Sequence, residues 1–527
     1  MNTSTILAVC LGGILTGYAF FMCSVRLIAI LQQQGYAGRA FLKWYYRSRN
    51  IERKKASLLA LAIALLTALF DVCFSFLGYR AANLISLLPF VGICVLYCVS
   101  ESRHALKVPL KNTMRALRLG VAYAVVLFAL CIGLGFALTA LAGAVDVAWL
   151  YLVRYVPFCL VPLLCPLLLP FVNLCMKAYE VPHAGKFIKR AKAALAASPC
   201  VKVGITGSFG KTSVKHFVAA ILSERYKVIA TPASYNTPVG IAKAVNEGGL
   251  DCEVFLAEMG ARRTGDIAQL CDMVCPSVGV VTGVTCQHLD TFGSMDAIRR
   301  EKGELARRVQ RCVLGRSAAD MDAPGALLMG RDFDAEDVRL SLEGTSFTLR
   351  LPEGNMPVTV PLLGRHAAED VALAAALGAC MGMTNAQIAS GIQKIAPVAH
   401  RLERRDANGL IILDDAYNCN PEGAANAVEV LRLADGRKAV VTPGIVELGQ
   451  LEEEVNGALG ALLVGLDLVV LVGETLVLDV RSGYLAAGGD EKKLRIVPDL
   501  AAAQKALAEE LAAGDCVLFL NDLPDCY

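Results

Sequence analysis

The chain has 527 residues, 55% of them hydrophobic and only 19% charged. Its mean hydropathy of +0.51 excludes a disordered or coiled-coil protein and points to membrane-spanning segments that raise the average. At about 100 to 200 residues per domain there is room for roughly three to five structural units, and the formal charge of +3 hides an asymmetry: residues 1–195 carry 20 Lys and Arg against 5 Asp and Glu, the remainder 31 against 43.

The basic part is apolar in runs of bilayer length: Ile6 to Cys23, Leu58 to Gly78, Leu84 to Val99, Leu119 to Ala144 and Tyr155 to Met176. Each approaches the roughly 20 residues that a spanning helix needs, so five spans are expected. Leu84 to Val99 is short and Asp71 lies inside the second run, so a re-entrant hairpin there would reduce the count to three. Lys and Arg gather between Ser24 and Ala56, between Arg103 and Arg118, and between Lys177 and Lys192, on every second loop. By the positive-inside rule those loops and residues 196–527 are cytoplasmic and the amino terminus is outside, the arrangement of a multi-pass cell-membrane protein. A cleaved signal peptide is the competing reading of Ile6 to Cys23, but no basic segment precedes it. Of nineteen cysteines, nine lie in the apolar runs and the rest form no CxxC pair, which reads as free thiols in a reducing compartment.

Beyond the last run, short β-branched stretches alternate with helical patterns: Val201 to Thr206 then Thr212 to Glu224, Cys252 to Glu258 then Arg263 to Cys271, Val278 to Val284 then Met295 to Val309. This order predicts an α/β domain with a largely parallel sheet. Alternating strands follow from Val338 to Pro361, a helix from Ala367 to Met381, and from Leu410 a new strand and helix series through Ala439 to Thr442, Leu468 to Val472 and Cys516 to Leu520. The expected fold is therefore an all-α transmembrane region over 1–180, a P-loop α/β domain over 181–405 and a Rossmann-like α/β domain over 406–527.

The chemistry begins at Gly204-Ile205-Thr206-Gly207-Ser208-Phe209-Gly210-Lys211-Thr212-Ser213, which follows a strand and opens a helix. Glycines there let backbone amides approach phosphate oxygens, the helix amino terminus favours an anion, Lys211 can reach the β and γ phosphates, and Thr212 can ligate magnesium. The spacing departs from GxxxxGK[ST], because Ile205 occupies the place of the first glycine. Glu258, ending the strand Phe255-Leu256-Ala257, is a hard oxygen ligand in a suitable place for Mg2+. His288 follows another strand end; taken alone it reads better as a core or surface histidine than as a ligand.

These pieces are joined in order by Tyr235-Asn236-Thr237-Pro238-Val239-Gly240, His288-Leu289 with Phe292-Gly293-Ser294, Lys302-Gly303-Glu304-Leu305, Asp414-Asp415-Ala416-Tyr417-Asn418-Cys419-Asn420-Pro421 and Val446-Glu447-Leu448-Gly449. Over about residues 200 to 520 the chain resembles the Mur ligase family, ATP-dependent amide-forming enzymes of peptidoglycan synthesis. The resemblance implies that ATP phosphorylates the carboxylate of a muramyl peptide and that an amine, D-alanyl-D-alanine or a similar one, attacks the acyl phosphate. Carried over by position, Gly207, Ser208, Gly210, Lys211, Thr212 and Ser213 would hold the triphosphate; Thr212, Glu258 and His288 would bind magnesium. Lys302 would be a carbamylated lysine supporting a second metal, whereas by spacing alone it is one more charge in Arg299-Arg300-Glu301-Lys302. Lys211, His288 and Lys302 would thus be the catalytic set, and Arg401, Asp415, Asn418 and Asn420 would contact the nucleotide, the alternative for the Asn-rich turn being a simple Asx turn before Pro421.

The chain also departs from the family. Gly364-Arg365-His366-Ala367-Ala368-Glu369-Asp370 stands for GxHNxxN, so Ala367 and Asp370 occupy places where asparagine is usual, and Leu520-Asn521-Asp522 replaces a Lys-Gly-Ser. No stretch resembles the family's UDP-sugar-binding domain. The expected protein is a membrane-anchored ligase acting on a muramyl-peptide or lipid-linked carboxylate, with the membrane as a partner and no sign of nucleic acid. A degenerate nucleotide-binding membrane scaffold is the competing class, favoured by Ala367 and the altered tail and opposed by the intact Lys211, Glu258, His288 and Lys302.

Overall fold

The computed structural model describes residues 3–46, 50–74, 79–103, 106, 108–145, 156–417, 419–473 and 476–521. By internal contacts the chain forms two units, one running to His183 and one starting at Ala184.

The first unit is helical: Thr3–Gln33, Gly38–Tyr45, Ile51–Cys73, Tyr79–Arg103, Met114–Val145 and the start of Leu160–Ala197. Every expected apolar run falls on a helix, apart from Phe74, which caps the third helix, and positions 75–78 and 155, which lie outside the described residues. Among the described residues three segments are long and apolar enough to cross a membrane, Ile6–Gln33, Met114–Leu141 and Val156–Ala197. The second run lies on helix Ile51–Cys73 and the third on helix Tyr79–Arg103, where Leu88–Ser100 is the apolar stretch among the described residues. Gly13 and Gly17, four apart, bring the first helix against Ile132 and Phe128: a Cβ on Gly13 would lie 2.7 Å from the Ile132 Cα, and one on Gly17 3.0 Å from that of Phe128. Small residues at this spacing let apolar helices approach backbone to backbone. Nearby, Phe20 and Phe90 meet edge to face at 5.5 Å, and the buried Tyr123 hydroxyl donates to Ser24 Oγ at 3.3 Å.

The second unit is built on strands rich in Val, Ile and Leu. β1 (Val201–Thr206), β2 (Val228–Ala230), β3 (Val254–Glu258), β4 (Val278–Val281), β5 (Arg311–Leu314) and β6 (Leu327–Leu328) form a parallel sheet in the order 2-3-1-4-5-6. Both faces are covered, so β3 and β4 are continuously apolar but for the terminal Glu258. Helices Lys211–Leu222 and Arg365–Cys380 cover one face through Val214, Phe217, Val218, Ile221 and Leu373. On the other, helices Pro238–Gly248 and Asp266–Val274 pack with Ala191 and Leu195, so the last turns of helix Leu160–Ala197 belong to this core. β7 (Asp334–Leu340), β8 (Thr345–Leu351) and β9 (Gly354–Val360) form a small antiparallel sheet whose Phe347, Leu349 and Val360 join the same core.

A second sheet follows from β10 (Glu403–Ala407), β11 (Leu410–Asp415), β12 (Lys438–Thr442), β13 (Leu468–Val472), β14 (Leu494–Val497) and β15 (Cys516–Leu520), in the order 10-11-15-12-13-14. Only the β10–β11 pair is antiparallel. In the first sheet the strand order reverses at β1, between β3 and β4. Such a reversal opens a crevice beyond the carboxyl ends of the strands, and the phosphate loop, Glu258 and the segment leading to His288 all leave from there.

Candidate active site

β1 ends at Thr206 and the chain turns through Gly207 to Gly210 before helix Lys211–Leu222 begins. Two backbone positions require glycine. Gly207 has φ +151° and a Cβ there would collide with Thr282 Oγ1; Gly210 is left-handed at φ +72°, and its Cβ would come within 2.6 Å of Asp370 Oδ1. The loop is tied to the chain beyond β4: Thr282 Oγ1 donates to Phe209 O, Ser208 N to Gly283 O at 2.8 Å, and Ser208 Oγ to Thr285 O at 3.3 Å. Lys211 Nζ folds back to donate to Gly207 O at 2.8 Å and Ser208 O at 3.1 Å. Burial pushes its pKa down to about 8, with Glu258 opposing and Arg401 reinforcing the shift. A buried ammonium resting on loop carbonyls, beside glycines that leave the backbone bare, suits an incoming polyphosphate. Ser213 lines the neighbouring cavity.

Glu258 is 1% exposed and fully engaged. Its Oε2 accepts from Thr212 Oγ1 at 3.1 Å and from Lys215 Nζ at 3.0 Å, its Oε1 from Asn236 Nδ2 at 3.1 Å, and its backbone N–H donates to Thr231 Oγ1 at 3.2 Å. Lys215 Nζ also donates to Ala233 O. The two predicted magnesium ligands Thr212 and Glu258 therefore meet, with a counter-ion that sequence reasoning missed. Lys215 stands four residues after Lys211, between Val214 and Phe217 on the buried helix face, and a lysine in an otherwise apolar stripe is the signal that could have found it.

Lys302 is 2% exposed, and its ammonium has no hydrogen-bond or ion-pair partner among the described residues. Burial lowers its pKa to about 7, Lys211 adds to the shift, and Glu301 and Asp266 oppose it. The reading of Lys302 as an exposed charge is overturned: helix Met295–Arg308 turns Ile298, Lys302 and Leu305 inward. Glu301 beside it is also buried and caps helix Asp266–Val274 by accepting from Gly265 N and Ile267 N at 2.8 and 2.7 Å. His288, left-handed at φ +59°, precedes a one-turn helix, and its Nδ1 is engaged by Glu447 from the second sheet's domain. Among the described residues no three His, Cys, Asp or Glu side chains converge on a preformed metal position. Thr212 with Glu258 instead fits magnesium, which is held by one or two carboxylates plus substrate oxygens and water.

The second domain adds a wall. Arg401 Nη1 donates to Tyr417 O at 2.9 Å and its guanidinium lies 4.4 Å from the Tyr417 ring centroid. Asp415, at the end of β11, accepts from Leu402 N at 3.1 Å, and burial raises its pKa to about 6 against the pull of Arg401. Asn420 caps helix Pro421–Leu431 by accepting from Gly423 N at 2.8 Å, the turn role that the sequence also allowed. Asn418 lies outside the described residues. In the altered tail, Asn521 donates to Gly444 O at 2.7 Å and accepts from Cys419 N at 3.4 Å. Between the domains is a cavity of about 330 Å³, lined among others by Phe209, His366, Asp370, Arg401, Asp415 and Asn420.

Residues 205–378 match the Mur ligase middle domain and residues 400–521 the Mur ligase, glutamate ligase domain. The chain is 30% identical over 296 residues to the UDP-N-acetylmuramoyl-tripeptide--D-alanyl-D-alanine ligase of Escherichia coli (strain K12), covering 52% of this chain and 65% of that one. It is 30% identical over 371 residues to the protein of the same name from Mycobacterium tuberculosis (strain CDC 1551 / Oshkosh), covering 63% and 72%. Among solved structures, MurF from Acinetobacter baumannii shares the fold with a TM-score of 0.59 at 24% identity, over 64% of this chain and 77% of its own. The MurF ligase of Thermotoga maritima in complex with ADP does so with 0.58 at 26%, over 64% and 80%. The ordered motifs, the two α/β domains and these relatives lead to one conclusion: the chain belongs to the Mur ligase family of ATP-dependent peptide ligases.

Proposed function

We propose that the protein joins the carboxylate of a muramyl peptide to D-alanyl-D-alanine or a similar amine, with its ligase unit at the cytoplasmic face of a membrane. The observation that carries this reading is Lys302, a buried amine with no hydrogen-bond or ion-pair partner among the described residues and a pKa that burial lowers to about 7. A neutral amine is what carbon dioxide carbamylates: its nitrogen bonds to the carbon, one N–H proton leaves to solvent, and the carboxylate so formed would offer oxygen ligands to a metal. When bound, ATP with magnesium supplies the phosphoryl group that activates the acceptor carboxylate for attack by the amine. In this reading Gly207, Ser208, Gly210, Lys211, Thr212 and Ser213 cradle the phosphates. Thr212 and Glu258 hold magnesium, and His288 and the carbamylated Lys302 contribute to a second metal position. Arg401, Asp415 and Asn420 face the nucleotide from the second domain. The His288–Glu447 contact draws that domain onto the first and helps to keep water from the reacting carboxylate.

A second reading concerns the acceptor. The apolar helices in the same chain favour a lipid-linked muramyl peptide over a soluble UDP-linked one, because they would hold the site near the bilayer surface. Phosphate release by the full chain, measured with D-alanyl-D-alanine against UDP-linked and lipid-linked muramyl peptides, tests both. Acceptor-dependent release is expected; none with either acceptor would overturn the ligase assignment, and preference for the UDP-linked one would overturn the second reading.

A further inference from the structure

His288 and Glu447 meet where the two domains of the ligase unit touch. His288 stands at the start of helix Leu289–Phe292, and its carbonyl accepts from Thr291 N and Phe292 N at 3.0 and 3.1 Å; Glu447 stands in the segment between β12 and helix Glu452–Leu462. Both backbones are left-handed, at φ +59° and +64°, an uncommon state for residues other than glycine, and both side chains are only 15% exposed. Gly449, two residues on, lies so close to the short helix that a Cβ there would come 3.3 Å from Asp290 Cα. Backbone held in this way on both sides of a contact fixes the two side chains against each other, and such strain collects where function needs a set geometry.

We propose that Glu447 is the positioning residue for the metal at His288: it accepts the Nδ1 proton in a hydrogen bond, which sets the tautomer and angle of the ring and leaves the Nε2 lone pair for the metal. This rests on the reading of His288 as a ligand of the second metal position. A carboxylate only accepts, so a ring that meets one through Nδ1 carries its proton there. Neutral imidazole then ligates through its other nitrogen, and Nε2 of His288 makes no hydrogen bond among the described residues. A carboxylate behind the ring also raises the basicity of the ligating nitrogen. Magnesium prefers oxygen to imidazole, so a ring already fixed in the right tautomer matters more here than it would for zinc.

Glu447 belongs to the second domain and His288 to the first, so the ligand is prepared only while the domains are docked. By linkage, metal at His288 and docking of the second domain favour each other by the same factor. Arg262 Nη2 lies 3.7 Å from the other oxygen of Glu447, and its side chain is 68% exposed. It reaches the same carboxylate from the first domain, which makes it the control that separates docking from ring orientation.

The test uses Mn2+ as a spectroscopic stand-in for magnesium, titrated into the full chain in detergent with a non-hydrolysable ATP analogue and bicarbonate. Paramagnetic resonance of the free ion gives the affinity, and pulsed resonance shows whether a bound ion is coupled to an imidazole nitrogen. The wild type should bind an ion with that coupling, and His288→Ala should lose both. Glu447→Ala should bind that ion roughly ten- to a hundredfold more weakly and, at the Mn2+ concentration that fills the wild-type site, lose the coupling. Glu447→Gln, whose amide oxygen still accepts from Nδ1, should recover most of the affinity, and Arg262→Ala should stay within about threefold of the wild type. Unchanged affinity and coupling in Glu447→Ala, no recovery in Glu447→Gln, or an equal loss in Arg262→Ala would each overturn the proposal while leaving His288 as a ligand. No nitrogen coupling in the wild type would remove the metal reading of His288 and this inference with it.

Discussion

Replacing Lys215 by Met should destabilise the central sheet more than any change at its surface. Lys215 and Glu258 are each 1% exposed and 3.0 Å apart, so removing the ammonium strands a carboxylate in a dry interior, a change that typically costs about 3–5 kcal/mol. Thr212 and Asn236 still donate to it, so a loss of about 3–4 kcal/mol is expected. Neither tryptophan, Trp44 nor Trp149, lies in the ligase unit. Hydrogen exchange of peptides spanning β1 and β3 in the full chain is therefore the appropriate readout, with amides exchanging roughly a hundred- to a thousandfold faster. Adding Glu258→Gln should recover at least half of the loss, because an amide needs no counter-ion, and magnesium with ATP should narrow the gap between Lys215→Met and the wild type. A loss under about 1 kcal/mol, or a double variant no better than the single one, would refute the argument that this pair is an obligatory charge balance.

Lys211→Ala or Glu258→Ala should lower acceptor-dependent ATP turnover by roughly a hundredfold or more; full turnover in either variant would remove that residue from the phosphate and metal machinery. Lys302→Ala should be nearly inactive and partly rescued by millimolar acetate or formate, whereas full activity without rescue would return Lys302 to a packing role. Because an unfolded lysine keeps its proton to about 10.5 while folded Lys302 releases it near 7, the unfolded state binds more protons in between and Lys302 adds a stability that rises with pH across that window. The wild type should accordingly gain stability relative to Lys302→Met between pH 7.5 and 9 in thermal melts, and parallel curves would contradict this. A chain beginning at Ala184 should keep the ligase unit folded, while one beginning at Ala194 loses the buried Ala191 and the flanking Phe187 and Ile188. The shorter chain should melt earlier by about 2–4 kcal/mol of stability; equal melting would mean that those helical turns contribute nothing. If the Ala184 chain also handles lipid-linked acceptors as well as the full chain does, the apolar helices have no part in recognising them.

Features set by a few consecutive residues were readable in advance. Gly207, Gly210, Lys211 and Thr212 announce a turn, an anion and a helix start within six positions, and β1, β3, β4, β12, β13 and β15 are visible as β-branched runs bounded by turns. The edge strands β2, β6, β10 and β14 were not: they are short or polar, and what makes them strands is a neighbour far along the chain. The same holds for the pairings of Lys215 with Glu258 and of His288 with Glu447, which are 43 and 159 positions apart. Lys302 shows the reverse failure. Its charged neighbours suggested an exposed face, although the 3.6-residue period through Ile298 and Leu305 already assigned it to the interior.

The close approach at Gly13 and Gly17 also bears on how the protein is made. The first helix ends at Gln33, and the helix that it clasps starts only at Met114. At about 5–20 residues per second the ribosome delivers the partner several seconds after the glycine face has emerged. Throughout that interval the glycine face needs some other surface to cover it. A bulky residue at either position would leave the first helix able to form and fail only later, when its partner arrives, so the expected defect is one of assembly and turnover.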